Sequence, residues 1–309
     1  MKFAFIFPGQ GSQKIGMGKE IYENFVQARE LLDAASDICK INFKKLLFLE
    51  NDDLNLTQFT QPAIVLNSFM SYLAIKDNLN LKPKFSLGHS LGEFSALGVS
   101  GAFSLIDTIK LVNIRGEFMQ KSCENKNMSM MVVLGLMDNE VEDICENSRK
   151  NGANVWAANY NCDGQIVVAG DLNSLTNLEK VFKEFGARRA MLLNMSVASH
   201  CPILEDASNA LVEEIKPILN SDFGSVISNV TALAYSTKNE ALKLLKEQLI
   251  KPVLYKQSIK SIDEDIDFYV EFGSNILQGL NKKITKKQTF SVYDLKSLNE
   301  FIEFVKENI

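Results

Sequence analysis

Histidine is almost missing from this chain: 309 residues contain two, His89 and His200. Any chemistry that needs an imidazole base has only those two candidates. Cysteine is sparse as well. The five present (Cys39, Cys123, Cys145, Cys162, Cys201) are odd in number and none has C-x-x-C spacing, so neither a disulfide framework nor a metal site is indicated. Reduced thiols in a cytoplasmic protein are expected. Basic residues are in deficit, 33 Lys and Arg against 38 Asp and Glu for a net charge of -5, which disfavours nucleic acid and anionic membrane surfaces as partners. An acidic partner would need a local basic patch. Long apolar runs are missing too: the N-terminal Phe3-Ala4-Phe5-Ile6-Phe7 is too short for a signal peptide and reads as a first buried strand, and no stretch would span a membrane. There is no internal repeat and no low-complexity segment. With 46% hydrophobic residues, the chain can bury one large core, or one core and a smaller satellite.

Residues 88–92 read Gly-His-Ser-Leu-Gly, the G-x-S-x-G pattern of a nucleophile elbow. The pattern carries meaning only between a strand and a helix. Lys84 to Leu87 reads as a short strand after Pro83, and Leu91 to about Gly101 as a helix. The two glycines remove β-carbons where the chain folds back, leaving Ser90 in the strained position. The alternative is a serine in an ordinary glycine-rich turn. A serine hydroxyl needs a base. His89 adjoins Ser90 and should point away from its oxygen, which leaves His200.

The start of the chain reads as α/β, with helices near 18–39 and 61–78 and a helix from Leu105 to Lys121 capped by Ser104, with Asp107 in its first turn. On that helix Leu105, Ile109, Val112 and Met119 form an apolar face with Arg115 among them. From about 127 the pattern is strand 130–136, helix 140–150, strands 155–159 and 165–169 around an Asn-Cys-Asp-Gly turn, helix 174–185 and strand 189–193. That order, β-α-β-β-α-β, is the ferredoxin-like split motif. The expected fold is therefore a large α/β-hydrolase-like domain with a parallel sheet (1–126 and 196–309), interrupted by a small ferredoxin-like subdomain (127–195). The tail from 203 alternates helix and short strand. The lysines of 282–287 read as solvated surface.

A guanidinium on an apolar helix face requires an anion if it is buried. For Arg115 that anion is either an internal carboxylate or a substrate carboxylate gripped by both guanidinium arms. His200 likewise has two readings, a histidine satisfied at a helix start or a base. Cys201-Pro202 follows it, and a helix beginning there would keep the imidazole neutral.

Together these segments resemble the malonyl-CoA:acyl carrier protein transacylases of type II fatty acid synthesis over nearly the whole chain. The resemblance rests on Phe7-Pro8-Gly9-Gln10-Gly11-Ser12-Gln13, Thr60-Gln61-Pro62, Gly88-His89-Ser90-Leu91-Gly92-Glu93, Arg115-Gly116, Asn159-Tyr160-Asn161 with Gln165, Ser199-His200, and Gln248-Leu249 with Pro252. It implies a ping-pong transfer from malonyl-CoA to the phosphopantetheine thiol of acyl carrier protein, with Ser90 as nucleophile and His200 as base. It also implies an oxyanion hole from the N–H groups of Gln10 and Leu91, Arg115 on the malonyl carboxylate, Gln248 orienting His200 through its carbonyl oxygen, and Asn161 at the entrance between the domains. No cofactor or metal is called for, and a monomer is expected. Gln13 and Gln61 also have a plainer reading, as partners of buried loop backbone. Two segments depart from the family. Glu271-Phe272-Gly273-Ser274-Asn275 lacks the proline of E-x-G-P-G, so a looser loop is expected there. Val197-Ala198-Ser199 resembles a form that accompanies methylmalonyl units in modular polyketide acyltransferases, although similar segments occur in stand-alone malonyl enzymes.

The competing enzyme is an α/β-hydrolase-like esterase or thioesterase, which normally places an acid between serine and histidine in chain order. No such acid stands out. A non-catalytic module that binds acyl carrier protein is the other alternative. Lys121, Lys126, Arg188 and Arg189 are the candidate docking residues for an acidic carrier.

Overall fold

Phe3–Phe7 forms β1, five successive buried residues, the signature of a strand covered on both faces. The structure is a computed structural model that describes residues 1–79, 81–193, 195 and 197–308. The expected helix at 18–39 is two: α1 (Lys19–Asn24) and α2 (Val26–Cys39) are separated by Phe25, whose backbone is extended at φ -120° while its side chain packs on the core. A short α3 (Phe43–Phe48) follows, capped by the Asn42 side chain on the N–H of Lys45. The next helix, α4 (Thr57–Asn78), begins four residues before its expected start and runs through Pro62. Then come β2 (Phe85–Gly88), the elbow, α5 (Gly92–Ser100) ended by Gly101 at φ 87°, and α6 (Leu105–Cys123), capped by Ser104 on Asp107 N–H.

The middle of the chain holds β3 (Met128–Leu134), α7 (Asp138–Lys150), β4 (Val155–Cys162), β5 (Gln165–Asp171), α8 (Leu172–Glu184) and β6 (Arg189–Leu192). These strands form an antiparallel sheet in the order β4-β5-β3-β6. Alternation divides its faces. Met131, Val133, Tyr160, Ile166, Val168 and Ala190 pack with the apolar sides of α7 and α8. The other face carries Met130, Val132, Asn159, Asn161, Gln165 and Val167 towards the elbow.

The chain returns through α9 (Glu205–Ile215), β7 (Asp222–Ile227), β8 (Ala234–Thr237), α10 (Lys238–Gln248), α11 (Tyr255–Ile262), β9 (Phe268–Phe272), α12 (Ile276–Asn281), β10 (Thr289–Val292) and α13 (Leu295–Asn308). The larger sheet has the order β10-β9-β1-β2-β7-β8, parallel except for β8 against β7. Val253, just before α11, pairs in parallel with Asn159 of β4 and so ties the small sheet's edge to the larger unit. The elbow lies where β1 and β2 end, at the carboxyl edge of the parallel strands, the usual place for a site in an open α/β sheet.

Two surface expectations are corrected. Lys282, Lys283 and Lys286 are exposed, but Lys287 is half-buried and donates to the carbonyls of Asp263 and Ile266. The loop after Glu271 is not loose. Gly273 takes φ 85°, and the buried Glu271 carboxylate accepts from Ser274 Oγ and from the N–H groups of Leu277 and Gln278 at the start of α12. A carboxylate cap there replaces the stiffness of the missing proline.

Candidate active site

The glycines of the elbow are required by space. A β-carbon on Gly88 would sit 2.0 Å from the backbone of Gly92, and one on Gly92 would sit 2.0 Å from the carbonyl oxygen of Phe7. Between them Ser90 has φ 52°, a left-handed conformation that a serine adopts only under constraint. The constraint is visible on both sides of the residue. Asn229 Oδ1 accepts from Ser90 N–H at 2.7 Å and Asn229 Nδ2 donates to Gly88 O at 2.7 Å, while Gln248 Nε2 donates to Ser90 O at 2.8 Å.

Ser90 Oγ lies 2.6 Å from His200 Nε2, and His200 Nδ1 lies 2.8 Å from the backbone carbonyl of Gln248. A carbonyl only accepts, so the proton sits on Nδ1 and Nε2 is free to take the serine proton. His200 is buried, and its φ is 60°. Its pKa falls to about 3, mainly through burial and secondarily through the Arg115 charge. The neutral imidazole expected from a helix start is therefore due to desolvation and a neighbouring cation. Pro202–Leu204 is only a 3-10 turn.

Arg115 is 1% exposed. Its Nη1 donates to Gln61 Oε1 at 2.7 Å and its Nη2 to Gln248 Oε1 at 3.2 Å, with Ser90 Oγ at 3.5 Å, while Nε has no partner among the described residues. Among the described residues it forms no ion pair with a carboxylate. The internal salt-bridge reading is thus absent at contact range. Burial lowers its pKa to about 9 against the opposing pull of Glu93. Gln61 serves this guanidinium rather than loop backbone, because it lies inside α4 and not in a loop. Gln13 accepts from a loop N–H, that of Gly11, but at an exposed position rather than a buried one.

Ser90, His200 and Arg115 share a cleft of about 250 Å³ with Gln10, His89, Leu91, Met119, Met130, Asn161 and Ser199, among others. Gln10 and Leu91 line it, and the backbone N–H of neither donates to a protein acceptor among the described residues. His89 turns from the serine oxygen to Asn161, with Nε2 2.7 Å from Asn161 Oδ1. That bond ties the elbow to the small sheet.

Comparison with known proteins agrees. The acyl transferase domain pattern matches residues 4–295. A malonyl CoA-acyl carrier protein transacylase of Bacillus subtilis is 36% identical, covering 99% of this chain and 98% of that protein. The crystal structure of the malonyl-CoA:acyl carrier protein transacylase from Helicobacter pylori superposes with a TM-score of 0.96 at 44% identity, covering all of both chains. This chain belongs to the malonyl-CoA:acyl carrier protein transacylase family. A malonyl-transacylase in complex with its type II polyketide acyl carrier protein is also similar, with a TM-score of 0.94 at 30% identity over 98% of this chain and 100% of that one.

Family membership leaves unexplained four residues that sequence reasoning gave no role at the site. Asn229 and Tyr235 sit in unremarkable stretches of sequence and reach the elbow only through the return of β7 and β8 beside β2. Glu93 was visible as the last letter of the elbow segment, and Met130 as one apolar residue of a strand. Only the alternation along β3 pointed Met130 to the cleft, where Ser199 Oγ donates to its sulfur at 3.4 Å.

Proposed function

We propose that this chain transfers the malonyl group from malonyl-CoA to the phosphopantetheine thiol of acyl carrier protein through a malonyl-serine formed at Ser90. The observation that carries this reading is the chain of contacts Ser90 Oγ, His200 Nε2 and Gln248 carbonyl with the Arg115 guanidinium in the same cleft. His200 takes the hydroxyl proton as Ser90 attacks the thioester carbonyl, and the N–H groups of Gln10 and Leu91 face the developing oxyanion. The carbon–sulfur bond breaks and CoA leaves with the proton. The carrier thiol then attacks the serine ester, gives its proton to His200, and regenerates Ser90 as the ester breaks. Arg115 has unused donors for the malonyl carboxylate. Gln248 holds His200 by its backbone carbonyl and Arg115 by its side chain, and Asn161 braces the cleft mouth through His89.

The large domain on this reading is α/β-hydrolase-like, made of 1–126 and 196–309, and the unit at 127–195 is ferredoxin-like; the sheet order β4-β5-β3-β6 and the two helices on one face support that division. Residue 196, at the boundary, lies outside the described residues. A cytoplasmic setting goes with the reading: all five cysteines are free, and no helix among the described residues is long and apolar enough to cross a membrane. The place a hydrolase would give to a triad acid is taken by the Gln248 carbonyl, which counts against the esterase alternative.

The test is the fate of malonyl-CoA with and without carrier. Without carrier, CoA release should stop after about one equivalent per enzyme; with holo acyl carrier protein it should continue and yield malonyl-carrier. Continuous CoA release without carrier would make the chain a thioesterase instead.

A further inference from the structure

Glu93 lies in the first turn of α5, directly after the elbow, and is completely buried. Its carboxylate accepts three hydrogen bonds: from Tyr235 Oη at 2.9 Å, from Gln248 Nε2 at 3.1 Å and from Asn229 N–H at 3.2 Å. Two of these donors belong to the residues that grip Ser90. Asn229 holds the Ser90 N–H and Gln248 the Ser90 carbonyl.

We propose that Glu93 is a positioning residue for the transfer: its carboxylate fixes the side-chain amide of Gln248, and through it the Arg115 guanidinium, and it anchors both clamps on the strained Ser90 backbone. This inference rests on the function proposed above. The Ser90 carbonyl only accepts, and Glu93 is held by three donors, so the Gln248 NH2 faces both. Gln248 Oε1 is then obliged to face Arg115, which only donates, and it does so at 3.2 Å. Turned the other way, the amide would set NH2 against the guanidinium and oxygen against two oxygens. The carboxylate is thus one of the two acceptors, with the Ser90 carbonyl, that set which end of Gln248 meets Arg115. Burial raises Glu93 to about 7 in spite of its three donors and the Arg115 charge. An apolar side chain would fill the space without that penalty, as packing alone requires.

The experiment compares Ser90 acylation by malonyl-CoA and by acetyl-CoA in the full-length wild type, Glu93→Gln, Arg115→Ala and the double variant, with thermal melting of each. In Glu93→Gln the new side chain has one accepting oxygen and an NH2 that can only donate, so it cannot receive all three hydrogen bonds as before. Both acylations should therefore slow as the elbow loosens. Malonyl should lose about tenfold more than acetyl, the scale of one hydrogen bond to a charged group. In the Arg115→Ala background the same substitution should leave the malonyl-to-acetyl ratio unchanged, since the route to the carboxylate is already gone. Equal losses for both acyl groups in the enzyme that keeps Arg115, or the same extra malonyl loss without Arg115, would overturn the proposal. If Glu93→Gln does not melt cooperatively, Glu93→Asp replaces it; keeping the charge one methylene short should move the ratio in the same direction by a smaller factor, and an unmoved ratio overturns the proposal. A wild type that malonyl-CoA never acylates would overturn the proposed function and this inference together. Acylated wild type with an unmoved ratio overturns this inference alone.

Discussion

Ser90 at φ 52° and His200 at φ 60° both hold a backbone conformation that costs about 1–3 kcal/mol for a side-chain-bearing residue. In return the hydroxyl and the imidazole meet at 2.6 Å from positions 110 residues apart. His200 also bears on stability. Its folded pKa, near 3, lies below the ordinary 6.5, so the folded state resists protonation that the unfolded chain accepts. The stabilisation is complete above pH 6.5 and is lost as pH falls towards 3, at up to about 1.4 kcal/mol per pH unit. Denaturant unfolding of His200→Gln between pH 6.5 and 4 should therefore show a shallower acid-side loss than wild type, and parallel pH curves would count against a neutral, buried His200. Ser90 and His200 were legible in the sequence because the elbow is local and the alternative bases were almost absent. Gln61, Asn229 and Tyr235 were not. Their partners lie 54, 139 and 142 residues away; Gln61 stands out only as part of Thr60-Gln61-Pro62, without its partner, and nothing in the neighbourhoods of Asn229 and Tyr235 marks them.

At the level of elements, the site depends on how closely α4 and α6 approach. A β-carbon on Gly116 would come within 2.7 Å of Gln58 Cα, so this glycine lets the helices touch where Gln61 meets Arg115. Pro62 explains why the first turn of α4 was missed. Proline inside a helix removes the N–H that would bond the carbonyl four residues back, that of Gln58, and so reads as a helix start. Here Asn113 Nδ2 of α6 donates to that carbonyl at 2.9 Å. Tertiary contact supplies the bond that local sequence cannot. Asn113→Ala should cost about 1 kcal/mol, the scale of one hydrogen bond to a half-buried acceptor. In a Pro62→Ala background the cost should be smaller, because the substituted alanine brings back a backbone N–H that can take the carbonyl. Equal costs in the two backgrounds, measured by denaturant unfolding, would show that Asn113 stabilises the helices in some other way. Between 105 and 193 the elements were legible as periodic runs with ends off by a few residues, β3 lying two residues earlier than expected and β4 continuing from the expected Asn159 to Cys162, whereas α3 and the separate elements of the tail after 203 were not resolved.

For the molecule as a whole, the two expected basic docking pairs separate. Lys126 precedes β3 and Arg189 pairs with Leu134 at its far end, so the length of the strand separates them, six steps of about 3.3 Å or roughly 20 Å. Lys121 lines a polar cleft of about 590 Å³ that also holds Glu117 and Glu124, and two of its lining residues, Cys123 and Met128, lie on the same α6 and β3 as Met119 and Met130 of the cleft at Ser90. One acidic carrier surface meets one pair more readily than both. Lys121→Glu with Lys126→Glu should raise the apparent KM for acyl carrier protein several-fold and leave that for malonyl-CoA in place, while reversal at Arg188 and Arg189 should change little. The opposite pattern in steady-state kinetics would move the docking surface to the far end of the sheet. Whether Ser90 carries the malonyl group is read by intact mass and peptide mapping after brief incubation with malonyl-CoA and no carrier. Wild type should gain one malonyl group, located on Ser90, and Ser90→Ala none; an unmodified wild type, or a malonyl group on Ser199 or Cys201, would contradict a malonyl-serine at Ser90.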